Sequence, residues 1–358
     1  MDTEAQSYRI AVDCMGGDMG PAEVVHAVAL ARQDLGASDK LVLIGQEPVL
    51  SPLLRLAGLA GNPRIEVRHA PDFITMTDKP MQALKSKKNA SMIVAFEMLK
   101  AGEVDAVVST GNTKVLVGAG TIKVRPLSGC QRPALTAVLP RKDGFTILVD
   151  VGANPETTPE QLVHNSVLGA VYSMAILSTK KPRVGLLTVG TEEGKGGERI
   201  NRTNAYLKEL SKRADWFEYA GPVEGFDVFQ GNVDVIITDG FTGNIVIKSI
   251  EGLVHMIKEI LVGKVKRNPI YIVAMGLLYP LLKSVKSRLR PEKFGGAPLL
   301  GLNGLVLKAH GSSNRHGTCA AILMARTALL HGVTARAPAA LVEANQILEE
   351  IKEELEEA

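Results

Sequence analysis

Residues 9–21 read RIAVDCMGGDMGP. An apolar run from Ile10 to Val12 ends in Asp13, turns through Gly16 and Gly17, and reaches a second carboxylate at Asp18. Pro21 follows, at a position where a helix can begin. A buried strand that breaks into a Gly-Gly loop ahead of a helix is how α/β folds build anion sites, because the first N–H groups of the helix point outward without partners. The two aspartates are unusual there. A plain phosphate cradle does not need carboxylates, so the loop is expected to position something as well as bind it.

The same unit recurs along the chain. Strands are expected at 9–13, 41–45, 64–69, 104–109, 134–139, 145–151, 183–189, 216–220 and 234–239. Helical spacing of apolar residues occupies 21–35, 90–101, 159–178, 198–213, 242–262 and, with an acidic end, 337–358. Continuous apolar strands between amphipathic helices predict an α/β fold with a largely parallel sheet and helices on both faces. The chain reads as one unit over 1–358, with an apolar and basic excursion at 264–293.

Five polar, glycine-rich loops each follow a strand: DCMGGD, STGNT (109–113), DVGANPETTPE (150–160), VGTEEGKGGE (189–198) and DGFTGN (239–244). In a parallel sheet all of them leave the same edge, the carboxyl ends of the strands, which predicts one composite site. Candidate anion or substrate contacts are Asp13, Gly16, Gly17, Asp18, Gly111, Asn112, Thr113, Gly194, Gly196, Gly240, Thr242, Gly243 and Lys248. Lys195 and Asn244 are candidate phosphate or oxyanion donors. His310 precedes Gly311, Ser312 and Ser313; the histidine is a candidate proton donor and the Gly-Ser-Ser turn a candidate anion nest. Thr110 or Asn112 can cap the helix after STGNT. The aspartates, Asp239 included, repel a phosphate dianion, so they are expected to orient Lys195, Lys248 or His310, or to hold the loops. Cys14 reads as a packing residue or a nucleophile.

Several classes are disfavoured. The GxGxxG fingerprint is missing after the first strand. GTEEGK (190–195) falls one residue short of a P-loop, and Gly196 stands where a magnesium-ligating Ser or Thr would follow the lysine. No GxSxG elbow appears. Cys14, Cys130 and Cys319 are scattered, so no zinc or disulfide framework is expected, and no metal cluster or cofactor. Aromatic content of 4% and a net charge of +3 argue against nucleic acid. The acid-bearing N-terminus does not resemble a signal peptide, and a cytoplasmic setting is expected.

The centre of the excursion, Pro269 to Leu282, is 14 uncharged residues, short of the roughly 20 needed to cross a bilayer. Eight Lys or Arg flank it against one acid, Glu292. Ile272, Leu277, Leu278 and Leu281 are candidates for contact with an anionic membrane surface. A helix pair broken at Pro280, packed in a core or a dimer interface, is the alternative.

The chain resembles the bacterial phosphate acyltransferases of phospholipid synthesis, called PlsX. The resemblance rests on VDCMGGDMGP (12–21), STGNT, RPAL (132–135), LVDVGAN (148–154), VGLLTVGTEEGKG (184–196), DGFTGNIVIKSIEG (239–252) and GGAPLLGLNGLVLKAHGSS (295–313), in family order across about 300 residues. It implies transfer of a long-chain acyl group from acyl-[acyl carrier protein] to inorganic phosphate. The acyl phosphate then passes to a glycerol-3-phosphate acyltransferase. It also implies a homodimer, peripheral association with the inner face of the cytoplasmic membrane, and a fold related to phosphate acetyltransferases and isopropylmalate dehydrogenases. The chain departs from the family pattern at Lys114-Val115, Thr191, Gly197, Pro155-Glu156 and at Ala90-Ser91, where paired serines are usual. A short-chain acyl-CoA enzyme of the same fold, a non-catalytic membrane scaffold and a nicotinamide dehydrogenase are the competing readings.

Overall fold

The computed structural model describes residues 7–192, 194–267, 269–288 and 295–357. The chain begins β1 (Arg9–Asp13), α1 (Gly20–Asp34), β2 (Lys40–Gly45), α2 (Glu47–Leu56), β3 (Ile65–His69), α3 (Pro80–Ser86), α4 (Ser91–Lys100), β4 (Ala106–Ser109) and α5 (Thr113–Ala119). It continues with β5 (Ala134–Arg141), β6 (Gly144–Val149), α6 (Pro159–Ile176), β7 (Arg183–Leu187), α7 (Gly197–Arg213), β8 (Glu218–Val223) and β9 (Val235–Ile237). It ends with α8 (Gly240–Arg267), α9 (Pro269–Leu277), α10 (Tyr279–Arg288), β10 (Ala297–Leu300), β11 (Leu305–Lys308), α11 (Arg315–Leu330) and α12 (Val333–Glu357).

The strands form one sheet in the order β3-β2-β1-β4-β11-β10-β5-β6-β9-β7-β8. Alternation along β1 shows why Ile10, Ala11 and Val12 are all apolar. Ile10 and Val12 join the core with Val24, Val28, Ile322 and Ala325, while Ala11 joins the opposite core with Ile93 and Phe96. Both faces are covered, so none of these three positions can be polar before the strand ends at Asp13. The helix α6 is set by a capping box between Thr158 and Gln161, with Pro159 in its first turn.

The arrangement of loops differs from the single edge expected above. The nine expected strands form, but β10 and β11 also form, and the chain reverses there. β10 is antiparallel to both β11 and β5, and β5 is antiparallel to β6. Strands β1, β2, β3, β4 and β11 therefore run one way and β6, β9, β7 and β8 the other. The loops belong to two carboxyl edges.

Those edges meet because the halves are staggered. Lys308 lies level with Ala297, and Leu299, two residues on, lies level with Leu135. One step forward along β5, Thr136 lies level with Val149, which is level with Ile237. The ends of β11, β6 and β9 thus fall within a residue's height of one another. The loops of the two halves therefore start at one level of the sheet, on either side of β10 and β5.

The excursion is a stalk. α8 runs for 28 residues, about 42 Å at 1.5 Å per residue. Beyond its first turns Leu253, Val254, Met256, Ile257, Ile260 and Leu261 are all exposed. α9 and α10 continue from its far end and break at Leu278, not at Pro280, which falls in the first turn of α10 where a proline is tolerated. Ile272, Leu277, Leu278 and Leu281 are exposed. A core-buried helix pair is thereby excluded for them. Residues 289–294, the end of the excursion, lie outside the described residues. Among the described residues no single helix is long and apolar enough to cross a membrane.

Candidate active site

The first wall is built on the ends of β1, β4 and β11. Asp13 is buried there, and its carboxylate accepts from Ser91 Oγ at 2.6 Å, Ser109 Oγ at 2.6 Å and the Met15 N–H at 3.2 Å. Burial raises its pKa above the usual carboxylate range; the serine hydrogen bonds act the other way. Asp13 is a hub that ties the first loop to α4 and β4. Ser91 and the neighbouring Ala90 are both buried. Asp18 is exposed, and its N–H donates to Gly311 O at 2.9 Å, joining the first loop to the turn after β11. Asn112, not Thr110, caps α5, accepting from the N–H groups of Lys114 and Val115. Lys114 is exposed. Cys14 is fully buried, and burial pushes its thiol far above the range of a reactive thiolate, which makes it a packing residue.

His310 is exposed at the rim. Its Nδ1 lies 2.8 Å from Ser312 Oγ and accepts from the Ser312 N–H at 3.3 Å. The neutral ring therefore carries its proton on Nε2. No aspartate is among these partners.

The second wall is built on the ends of β6, β7 and β9. Asp150 is fully buried and accepts from the N–H groups of Leu135, Gly152, Ala153 and Asn154. It shapes the loop against which α8 begins. A Cβ on Gly243 would come within 1.9 Å of Asp150 O, so only glycine lets that helix start so close. Asp239 caps α8, accepting from Thr242 N–H at 2.7 Å. Its side-chain partner is Arg199 at 2.7 Å, not Lys195, Lys248 or His310 as expected above. Burial raises the Asp239 carboxyl, but the Thr242 and Arg199 hydrogen bonds outweigh it and its pKa is lowered overall. Arg199 also donates to Thr157 O and Oγ1, both at 3.2 Å.

Lys195 turns back on its own loop and pairs with Glu192 at 2.7 Å, both side chains being more than half exposed. Gly194 and Gly196 have φ of 86° and 106°, which gives that loop its shape. Lys248 pairs with Glu251 at 2.6 Å, one turn along α8. Asn244 is exposed and packs over Gly152.

Many of the loop amides expected to bind an anion already have partners. The N–H groups of Gly111, Gly240, Thr242, Gly243, Ser312 and Ser313 all donate within the protein. Side-chain cations therefore dominate the electrostatics. One of them was not singled out by its sequence context: Lys308, the last residue of β11, is buried. The signal was a lysine closing the apolar run LVLK, directly before AHGSS. Arg199, Asp150, Asn154 and Ser109 were likewise not singled out. Among the described residues no cluster of His, Cys, Asp and Glu is arranged to hold a metal ion.

A family model described as "Fatty acid synthesis protein" matches residues 8–336. The phosphate acyltransferase of Elusimicrobium minutum is 37% identical over 344 residues, covering 96% of this chain and 99% of its own. The chain belongs to the phosphate acyltransferase family. The relative from Bacillus licheniformis is 40% identical over 91% of this chain and 96% of its own. A phosphotransacetylase from Streptococcus pyogenes shares the fold, with a TM-score of 0.59 at 17% identity over 90% of this chain and 94% of its own. The EutD phosphotransacetylase from Staphylococcus aureus also shares it, with a TM-score of 0.57 at 14% identity over the same shares. As a phosphate acyltransferase the protein is an enzyme with an α/β fold, which bears out the expected family and fold class. The dehydrogenase and scaffold readings are not favoured.

Proposed function

We propose that this acyltransferase moves a long-chain acyl group from acyl-[acyl carrier protein] to inorganic phosphate, releasing acyl phosphate and free carrier protein. The observation that carries this reading is the common level of the strand ends. Two walls, each with its own cations, stand on either side of β10 and β5 where β11, β6 and β9 end. Phosphate is a competent nucleophile and a thioester an activated donor, so the protein's task is to hold them in line and to stabilise charge. A phosphate oxygen attacks the thioester carbonyl. The new C–O bond forms, the carbonyl oxygen becomes an oxyanion, and collapse breaks the C–S bond. Asn244 and Lys195 are placed on the second wall to reach the oxyanion. The leaving thiolate takes the Nε2 proton of the imidazolium form of His310 at the opposite rim, leaving the neutral ring with its proton on Nδ1 beside Ser312 Oγ, and water reprotonates the ring. No covalent acyl-enzyme is needed.

The stalk supports a long-chain, membrane-supplied setting. Its exposed apolar residues from Leu253 to Leu261 need a cover, for which a second copy of this chain is the proposed occupant. The tip, with Ile272, Leu277, Leu278 and Leu281 between basic flanks, is proposed to rest on the anionic inner face of the cytoplasmic membrane. The same basic residues attract an acidic carrier protein. Acyl phosphate made there is proposed to pass to a glycerol-3-phosphate acyltransferase.

The test is to assay acyl-phosphate formation with palmitoyl-carrier protein and with acetyl-CoA. Turnover of the palmitoyl donor alone is expected; preference for acetyl-CoA would overturn the donor assignment. Leu277→Glu with Leu278→Glu is expected to abolish flotation with anionic liposomes and leave turnover of soluble donor intact. A variant that floats like the native protein would refute membrane docking.

A further inference from the structure

Lys308 closes a strand that is buried along its whole length, between β4 and β10. An ammonium in such a place needs compensation, because removing it from water costs several kcal/mol or more. Residues level with one another on neighbouring strands project to the same face. Asp13, Ser109 and Lys308 therefore form one row across β1, β4 and β11. The row begins with an ion-pair partner, but Asp13 is occupied by two serine hydroxyls and an amide. The Lys308 ammonium instead donates to two main-chain carbonyls, Thr110 O at 3.4 Å and Ala309 O. That leaves one of its three donor positions for something else.

A second feature points to the same place. Thr110 is 3% exposed, and its Oγ1 has no hydrogen-bond partner. Gly17 lies directly over it: a Cβ there would stand 2.4 Å from Thr110 Oγ1. A buried, unpartnered hydroxyl therefore sits beneath the glycine loop on the residue whose carbonyl holds Lys308. Burial disfavours the charged form of Lys308, and Asp13 and Asp18 favour it.

We propose that Lys308 and Thr110 Oγ1 form the subsite that grips the oxygens of inorganic phosphate. Lys195 is then left to act on the acyl donor side. This assignment deepens the phosphate-acyltransfer reading and rests on it for its place in the reaction.

The test measures initial rates against phosphate concentration at saturating acyl donor, and the rise in melting temperature on adding inorganic phosphate. Lys308→Met, which keeps the side-chain length without the charge, is expected to raise KM for phosphate by about tenfold or more while KM for the acyl donor stays near native. It is also expected to lose the phosphate-dependent thermal shift. Thr110→Val, close to the same volume, should raise KM for phosphate by about threefold to tenfold. A folded Lys308→Met whose KM for phosphate stays within about twofold of native would overturn the assignment. If Lys308→Met does not fold, Thr110→Val decides by the same criterion. If the native protein makes no acyl phosphate, yet phosphate stabilises it and not the Lys308 variant, the subsite stands and the reaction assigned to it falls.

Discussion

Lys308 and Lys195 stand one on each wall, and they are held in opposite ways. Lys308 is 7% exposed, in line with a buried row and fixed by main-chain carbonyls. The Lys195 side chain is 52% exposed, on a glycine loop, and pairs with a neighbour three residues away. A cation in the first setting keeps its place at the cost of its hydration. One in the second keeps its hydration and samples several positions. On the assignment proposed above, the first wall holds a small anion at a set point and the second stabilises charge on the acyl donor as it develops. The supporting carboxylates follow the same division: Asp13 is enclosed by serines, whereas Asp239 shares a partly exposed Arg199.

The contrast is tested most severely at its anchor. Asp13→Ala leaves two serine hydroxyls and the Met15 amide buried without an acceptor, and should cost about 2–4 kcal/mol, read as a lowered urea midpoint. A loss within about 0.5 kcal/mol would mean that the first wall is not held by this carboxylate.

A smaller effect is expected from titration of Lys308. Burial lowers its pKa from an ordinary 10.5 to about 8. Between those values the native protein has released the proton and the unfolded chain still binds it. The unfolded state then holds more protons, so stability rises with pH from about 8 to about 10.5. Below that window both states are charged and the burial cost is constant. Urea titrations of Lys308→Met should lack this rise; an unchanged slope would place the lysine in solvent.

The smallest effect on stability is expected at the second wall. Lys195→Ala removes an exposed ion pair, and its urea midpoint should match the native value. Its kcat should nonetheless fall about 100-fold, with KM for phosphate little changed. A rise confined to KM for phosphate would transfer to Lys195 the role assigned to Lys308.

Much of this site was legible from local pattern. The nine strands and the long helices follow from runs of apolar residues and their spacing, which the chain carries residue by residue. Glycine loops at strand ends announced where chemistry would gather. The partners of the charged groups were not legible. Asp239 was expected to orient Lys195, Lys248 or His310 or to hold its loop, but its side-chain partner is Arg199, in the first turn of α7, 40 residues away in sequence. Lys308 looked like the end of a motif, because its burial depends on β4 and β10 closing over it. Both facts are set by pairing between distant segments.

By itself the sequence determined the α/β alternation, the family, the loops at strand ends, and an apolar segment too short to span a bilayer. Tertiary structure decided which loops face each other. β10 and β11 are four residues each, too short for their composition to declare a direction. Whether such strands run parallel or antiparallel is settled by the neighbours whose edges they complete. Here they reverse the sheet, divide one expected edge into two, and enclose Lys308 between β4 and β10. Direction is a property of pairing between strands, and no single strand encodes it.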